Sequence, residues 1–407
     1  MRICWFLCCC MLMTSSLLAG TVSGVVLTAD QRKPVHLASV FFSNTSVGTV
    51  TDSAGRFTIY NAPSGKYDLV VSYVGYETAV QTIETDKQTS PLTVYLKLKP
   101  KELDNVVIEP YEKENWAKWG RFFTERFLGL TANSSRCSIV NYKAIQFRYY
   151  KKTKRLIAFS NEPLQIDNHA LGYRIKYQLE NFEYNFSSSM QFYQGYPLFE
   201  EMPAKEGSKK QRNWEANRAA AYEGSVMHFM RSLYRNQLTE NGFEIRYLKK
   251  VPNTEKQRQK EQLRQQAQSG QVTLRLGTQP NDSSDYRSKV MSQPDMMDVL
   301  NPNLVPADSI AFAIDKYTAG LYFSDYLHVM YLHKAEPVEY VQLQRRSQAD
   351  NKLVSQIQLM QQEVLSIAAN GSFYAPNNLL LLGYWAFSEN MSGMLPFDYK
   401  PTVINKK

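Results

Sequence analysis

Short runs of alternating apolar and polar residues dominate the chain between residues 22 and 98. In the run 56–60, Phe57 and Ile59 fall on one face and polar side chains fall on the other. A period of two is typical of a half-buried strand. Six such segments occur at the spacing of a small β-sandwich, at residues 22–27, 38–42, 56–60, 66–73, 78–83 and 92–98.

A tight turn precedes the third of these strands. Asp52 can accept a hydrogen bond from the backbone two residues on, and Gly55 tolerates a positive φ. Around this turn, nine residues have the order and spacing of one family signature: Thr51, Asp52, Gly55, Phe57, Pro63, Gly65, Tyr67, Gly75 and Tyr76. They resemble the carboxypeptidase regulatory-like domain. The resemblance implies a transthyretin-like (prealbumin-like) β-sandwich at 21–100, and it implies no peptidase residue, because this domain is only an appendage in zinc carboxypeptidases.

Residues 101–110 resemble the connector that follows this domain in outer-membrane receptors that import glycans, and we interpret 101–113 as a linker or a last strand. From residue 114 the hydrophobic period changes to about 3.6, which predicts a helix that ends at Gly129. Its aromatic residues lie on one stripe: Trp116, Trp119, Phe123 and Phe127. Such a stripe is either a core face or a platform for a ligand.

The pattern returns to strands over residues 139–202, where turn-rich separators predict an antiparallel meander. A second helix is predicted over 213–238, with a break at Gly224. Arg231 and Arg235 lie four residues apart on this helix. We interpret them as part of a solvated face, although the same spacing would suit an anion.

Residues 253–308 contain few large apolar side chains, and we interpret them as a polar, mobile excursion with one short strand at 272–276. Ordered segments resume at residue 310. Asn370 and Gly371 predict a tight hairpin turn, since both accept a positive φ. The fold predicted from these patterns is mainly β with some α: an N-terminal transthyretin-like sandwich, followed over 114–401 by an α+β body with an antiparallel sheet.

The first twenty residues read as a secretory signal peptide, with Arg2 near the start, an apolar run, and Ala19 and Gly20 at the end. Four of the five cysteines lie in this segment. Cleavage near residue 20 would leave Cys137 alone and exclude an intrachain disulfide. The formal net charge of +9 favours contact with anionic envelope polymers or lipid headgroups, or serves solubility.

Candidate chemistry is sparse. His333 and Glu336 match the His-x-x-Glu spacing of zinc carboxypeptidases, but no histidine follows to complete the ligand set. Cys137 could act as a nucleophile with His169 or His228, although a buried, unreactive thiol is the simpler interpretation. No nucleophile elbow, phosphate loop or dinucleotide fingerprint occurs. We therefore predict no catalytic, metal or cofactor-binding residue.

Parts of the body, including 127–131, 171–179 and 224–233, resemble a group of exported proteins from glycan-degrading Gram-negative bacteria. The expected function is that of a non-catalytic exported protein, located in the periplasm or associated with the outer membrane. The sandwich would serve as a spacer or docking module, and the body would bind an envelope protein or glycan; no nucleic-acid partner is expected. The alternative is a hydrolase of envelope glycan or peptide with an unrecognised site.

Overall fold

The computed structural model describes residues 20–88, 90–99, 112–269 and 282–401. These residues are mainly β, with mostly antiparallel sheets and several helices, as the sequence predicts. They divide into two compact units. The first contains the described residues up to Trp119 with Ile139–Asp167 and Tyr173–Pro203, and the second contains Gly120–Ser138, Asn168–Gly172 and the described residues from Ala204 onward. Residues 1–19 of the predicted signal peptide and 101–111 of the predicted linker lie outside the described residues.

The predicted sandwich forms the beginning of the first unit. Two sheets, ordered β4-β1-β7 and β3-β2-β5-β6, enclose a core that includes Phe42, Ile59 and Leu69. The sequence pattern misses β3, because three residues are too few to show a period. The strands are β1 Gly20–Thr28, β2 Ser39–Phe42, β3 Gly48–Val50, β4 Arg56–Ala62, β5 Lys66–Ser72, β6 Ala79–Glu84 and β7 Leu92–Leu96.

The turn before β4 has the predicted chemistry. The Asp52 carboxylate accepts hydrogen bonds from the backbone N–H groups of Ala54 (2.9 Å) and Arg56 (2.8 Å). Gly55 has a φ of 71°, and a Cβ at this position would lie 2.5 Å from the carbonyl oxygen of Val26. Glycine is therefore required both by the backbone conformation and by the available space.

A seven-stranded sheet, most of whose residues belong to the first unit, follows the sandwich, and its path runs β8-β10-β11-β13-β12-β9 with β14 paired to β13. The predicted meander is wrong, because β13 lies between β11 and β12. Strand β14 pairs with β13 along the whole length of β13, so β11 and β12 both pair with the opposite edge of β13. The strands are β8 Glu112–Glu114, β9 Cys137–Ile139, β10 Ile145–Tyr150, β11 Arg155–Ser160, β12 Leu164–Asn168, β13 Tyr173–Asn185 and β14 Met190–Glu201.

Within the first unit, the sandwich is joined to the edge strand β14. The Asn44 N–H donates to the carbonyl of Pro197 (2.8 Å), and the Phe199 N–H donates to the carbonyl of Thr45 (2.9 Å). Leu198 packs in a small apolar cluster with Phe41 and Val70 of the sandwich. The division into compact units therefore places the sandwich together with this sheet, whereas the sequence pattern separates residues 21–100 from residues 114–401.

Helix α1, Trp116–Phe127, uses its aromatic stripe for packing. The ring of Trp116 lies 4.9 Å from that of Tyr142, measured between centroids. Phe123 and Phe127 are fully buried and stack at 5.0 Å. The stripe is therefore a core face and not a ligand platform.

The second unit combines a five-stranded sheet, β16-β15-β19-β20-β22, with a three-stranded one, β17-β18-β21. Its core includes Phe229, Phe243 and Trp385. The helices are α2 Lys209–Tyr222, α3 Val226–Tyr234, α4 Thr254–Gln268, α5 Asp282–Ser292, α6 Val338–Leu343 and α7 Tyr384–Ser388. The strands are β15 Phe243–Pro252, β16 Met296–Leu300, β17 Ala311–Ala313, β18 Thr318–Leu321, β19 Tyr326–Tyr331, β20 Leu353–Leu359, β21 Leu365–Ala368 and β22 Leu379–Gly383.

The predicted break in the second helix is present between α2 and α3. Gly224 has a φ of 77°, which ends the first helix, and the Ser225 side chain accepts a hydrogen bond from the His228 N–H to begin the next. Three residues therefore separate the end of α2 from the beginning of α3. No described helix is long and apolar enough to cross a membrane.

The polar segment 253–308 contains helices that the sequence pattern does not predict. Helix α4 is mostly exposed and its one buried residue is the polar Gln259, so it has no hydrophobic period to reveal it, although its Gln, Lys, Glu and Arg residues are good helix formers. The side chains of Lys256 and Lys260 pair with Asp295. The predicted strand at 272–276 lies outside the described residues.

Candidate functional site

A cleft of about 290 Å³ lies in the second unit, where several chain segments meet. Its walls come from the end of α2, the residue before α3, the beginning of α6, the end of α7 and the loop at 131–133. A concave site with mixed apolar and polar walls is the ordinary form of a small-ligand site. We therefore take this cleft as the candidate functional site.

Lys334 lies at one side of the cleft and satisfies the end of α2. Its ammonium group donates to the backbone carbonyls of Ala220 and, at 3.3 Å, of Glu223. A cation suits the negative end of a helix dipole. Burial lowers the pKa of Lys334, and the charges of Glu223 and Glu389 oppose that effect.

Glu389 satisfies the beginning of α3 from another side. The Val226 N–H donates to Oε1 of Glu389 at 3.0 Å. Burial raises the pKa of this carboxyl to about 7, while the hydrogen bond from Val226 and the charge of Lys334 pull it down. Both protonation states of Glu389 are therefore populated near neutral pH.

Three further polar groups in the lining of the cleft receive no hydrogen bond from the described residues. The hydroxyl oxygen of Ser388 is buried and has no hydrogen-bond partner among the described residues. The carboxylates of Glu223 and Glu339 make no hydrogen bond or salt bridge with any residue that the structure describes. Buried polar groups are normally satisfied, so the Ser388 hydroxyl is an unused hydrogen-bonding group in the wall of the cleft.

The remaining wall is apolar. Tyr384 and Phe387 are buried beside the polar groups, and Ala221 and Pro337 line the same space. The cleft thus offers an apolar surface next to several hydrogen-bond acceptors. It suits a small ligand, or the end of a larger one, that combines an apolar part with a polar head.

The zinc-like pair of the sequence does not form a metal site. Both carboxylate oxygens of Glu336 accept from the Arg346 guanidinium (2.6 and 2.7 Å), and one also accepts from the Asp350 N–H at 2.9 Å. The carboxylate therefore holds a loop together. His333 packs its ring against Tyr331. In the described part of the chain, no three His, Cys, Asp or Glu side chains are grouped to hold a metal ion.

Cys137 does not have the properties of a nucleophile. Burial raises the pKa of its thiol to about 12, so the thiol is protonated at neutral pH. Nδ1 of His228 accepts the Gly224 N–H (3.2 Å), and burial lowers the pKa of this histidine to about 4. His169 contributes its carbonyl to the Trp214 indole N–H. No hydrogen bond joins Cys137 to either histidine among the described residues.

The interpretation of Arg231 changes as well. Arg231 is not on a solvated face: it is only 5% exposed, and its guanidinium donates to the backbone carbonyls of Asn370 (2.8 Å), Phe397 (3.2 Å) and Tyr399 (3.0 Å). Trp385 is buried as well, with 2% of its surface exposed. Its indole N–H donates to the Gly224 carbonyl at 2.8 Å, so it is a core residue.

Sequence reasoning missed the cleft altogether. Its polar residues come from four distant segments, near 131, 223, 334 and 389, and none of them belongs to a spaced motif. Only tertiary packing brings them together. The weak signal available was the helix break at Gly224, because two adjacent helix ends need capping groups from elsewhere in the chain.

Comparison with known proteins bears on the sandwich. Residues 22–108 match the family model of the CarboxypepD_reg-like domain, so this protein carries a carboxypeptidase regulatory-like domain. No curated protein matches the chain. One solved structure that aligns is a 9R-lipoxygenase from Cyanothece PCC8801, with 12% identity, 55% of this chain and 48% of that chain covered, and a TM-score of 0.14. The chain thus spans about half the length of that lipoxygenase, and so low a TM-score carries no argument about fold or activity.

Proposed function

We propose that this protein is a non-catalytic exported envelope protein whose second unit binds an envelope glycan or protein segment in the cleft. The regulatory-like sandwich serves as a docking or spacer module. The single observation that carries the proposal is the cleft itself: about 290 Å³, apolar on one wall, with a hydroxyl and two carboxylates on the others that have no hydrogen-bond partner among the described residues. Such convergence of a few polar groups on an apolar cavity favours ligand binding.

Two features of the chain support the location and the role. The formal net charge of +9 suits an environment rich in anionic polymers. The sandwich is hydrogen-bonded to the edge of the neighbouring sheet in the first unit, which supports a docking role more than that of a loose spacer. Export rests on the apolar N-terminal segment of the sequence.

The test fills the cleft without disturbing the core. Ala220 is an exposed residue of α2 that lines the cleft, so Ala220→Phe should obstruct it. Ala216 is equally exposed one turn earlier and lies outside the lining, so Ala216→Phe is the matched control. We expect saturable binding of purified envelope glycans or stem peptides, measured by calorimetry, to be lost in the first variant and kept in the second. Absence of binding by the parent, or equal binding by both variants, would overturn the proposal.

A hydrolase is the second candidate, and one observation favours it. The pKa of Glu389 is raised to about 7, close to the operating pH, as a general acid or base requires. The Ser388 hydroxyl lines the same cleft. Turnover of the same glycans or peptides by the parent that disappears in Glu389→Gln would establish the enzyme and refute the non-catalytic proposal.

A further inference from the structure

We infer that the cleft selects ligands in which a protonated primary amine lies beside an apolar surface, either an aliphatic stem or the face of a sugar ring. This inference rests on the proposed ligand-binding function and names the chemical class of the ligand. The amine can belong to an amino sugar or to a peptide side chain, which offer the same ammonium group. The reasons are the acceptors that lack a donor, the local charge and the shape of the cleft.

Three acceptors in the lining of the cleft receive no hydrogen bond from the described residues. The Ser388 hydroxyl oxygen, the Glu223 carboxylate and the Glu339 carboxylate all lack a donor among the described residues, and all three line the same space. The nearby ammonium of Lys334 directs two of its hydrogens to backbone carbonyls. An ammonium ion brings three donors and no acceptor, so it complements this set of groups. A carboxylate or phosphate would bring further negative charge beside Glu223 and Glu339.

The local charge has the opposite sign to that of the whole chain. Glu223, Glu339 and Glu389 face one cation, Lys334, within the lining, although the protein as a whole is basic. Tyr384, which lies among these groups, has its pKa raised first by burial and then by the charges of Glu389 and Glu339. A concave site lined by one sign of charge concentrates ligands of the other sign.

The apolar wall distinguishes this cleft from a simple cluster of acidic residues. Phe387, Ala221 and Pro337 line the space beside the acceptors, so an aliphatic stem or the face of a sugar ring can be buried while the ammonium reaches the polar side. Binding a cation next to Glu389 favours its ionised form. The complex should therefore release protons when it forms near pH 7.

The experiment compares each amine with its acetylated counterpart, using the full chain and calorimetry. The first pair is a glucosamine tetramer and its N-acetylated form, and the second is a capped lysine tripeptide and its Nε-acetyl form. We expect acetylation to weaken binding by about tenfold or more in the pair that represents the true source. Binding of the amine should depend on buffer ionisation enthalpy, which reports the released protons. A preference for the sugar or for the peptide identifies the source.

Charge variants test the residues. Glu223→Gln and Glu339→Gln should each weaken amine binding by about threefold to tenfold, while leaving the acetylated compounds unchanged. Glu240→Gln, an exposed position outside the cleft, is the matched control and should have no effect. Equal affinity for amine and acetylated forms would overturn the amine preference and leave the ligand-binding cleft standing. If Ala220→Phe also fails to change any binding, the proposed function itself is refuted.

Discussion

Arg231 offers the sharpest test of how the second unit is held together. It is buried on α3 and donates hydrogen bonds to three carbonyls from two different segments, Asn370 in a turn, and Phe397 and Tyr399 near the end of the described chain. Hydrogen bonds to a charged group contribute about 1.5–3 kcal/mol each, and contributions from one side chain do not add fully. We therefore expect Arg231→Ala to lower the free energy of unfolding by about 3–5 kcal/mol.

The neighbouring arginine provides the control. Arg235 lies one turn later and is exposed, so Arg235→Ala should change the free energy of unfolding by no more than about 0.5 kcal/mol. Arg231→Lys should fall between the two, because a lysine keeps the charge and loses the planar fork that reaches several carbonyls. Urea unfolding followed by tryptophan fluorescence and circular dichroism gives all three values. If the free energies of unfolding of Arg231→Ala and Arg235→Ala differ by less than about 1 kcal/mol, the three hydrogen bonds of Arg231 do not stabilise the fold.

Three other predictions concern the sandwich, the cleft and the polar segment. Gly55→Val should destabilise the sandwich by on the order of 1–3 kcal/mol in thermal denaturation, since it forces a β-branched residue to positive φ; unchanged melting would contradict the turn. Because the pKa of Glu389 is raised in the folded state, this carboxyl holds its proton more tightly in the folded than in the unfolded state between about pH 4.5 and 7. The free energy of unfolding should therefore fall as the pH rises through this window, and the slope should be smaller in Glu389→Gln. In limited trypsin digestion, cleavage after Arg264 should precede cleavage after Lys256, whose side chain is 13% exposed and ion-paired; the reverse order would contradict the helical pairing.

The sandwich could be predicted because its determinants are local. The alternation in β4 and the turn at Asp52 and Gly55 are properties of a few consecutive residues, and the structure confirms them. The break at Gly224 was equally local. The elements that the sequence pattern misses are either too short to show a period, as in β3, or lack an apolar face, as in α4. Hydrophobic periodicity reports which residues are buried and not whether a helix forms.

The cleft and the hydrogen bonds of Arg231 could not be predicted from the sequence, and the reason is different: they depend on residues that are distant in the chain. Arg231 and Arg235 have the same residue type and adjacent helical positions, and sequence alone gives both a solvated face. Their difference is created by the distant carbonyls of Asn370 and Tyr399. In the same way, Glu389 becomes a helix cap with a raised pKa only because the chain places it beside Val226, more than a hundred residues earlier.

The attachment of the sandwich to β14 also protects the sheet from unwanted pairing. An open edge strand presents free N–H and C=O groups, which other chains can use for aggregation. Here the sandwich takes up the backbone groups of Pro197 and Phe199 at that edge and covers Leu198 with its own apolar side chains. Deleting the sandwich would expose an edge strand that can pair with other chains. The two parts should therefore be produced and purified together, even if the sandwich can fold by itself.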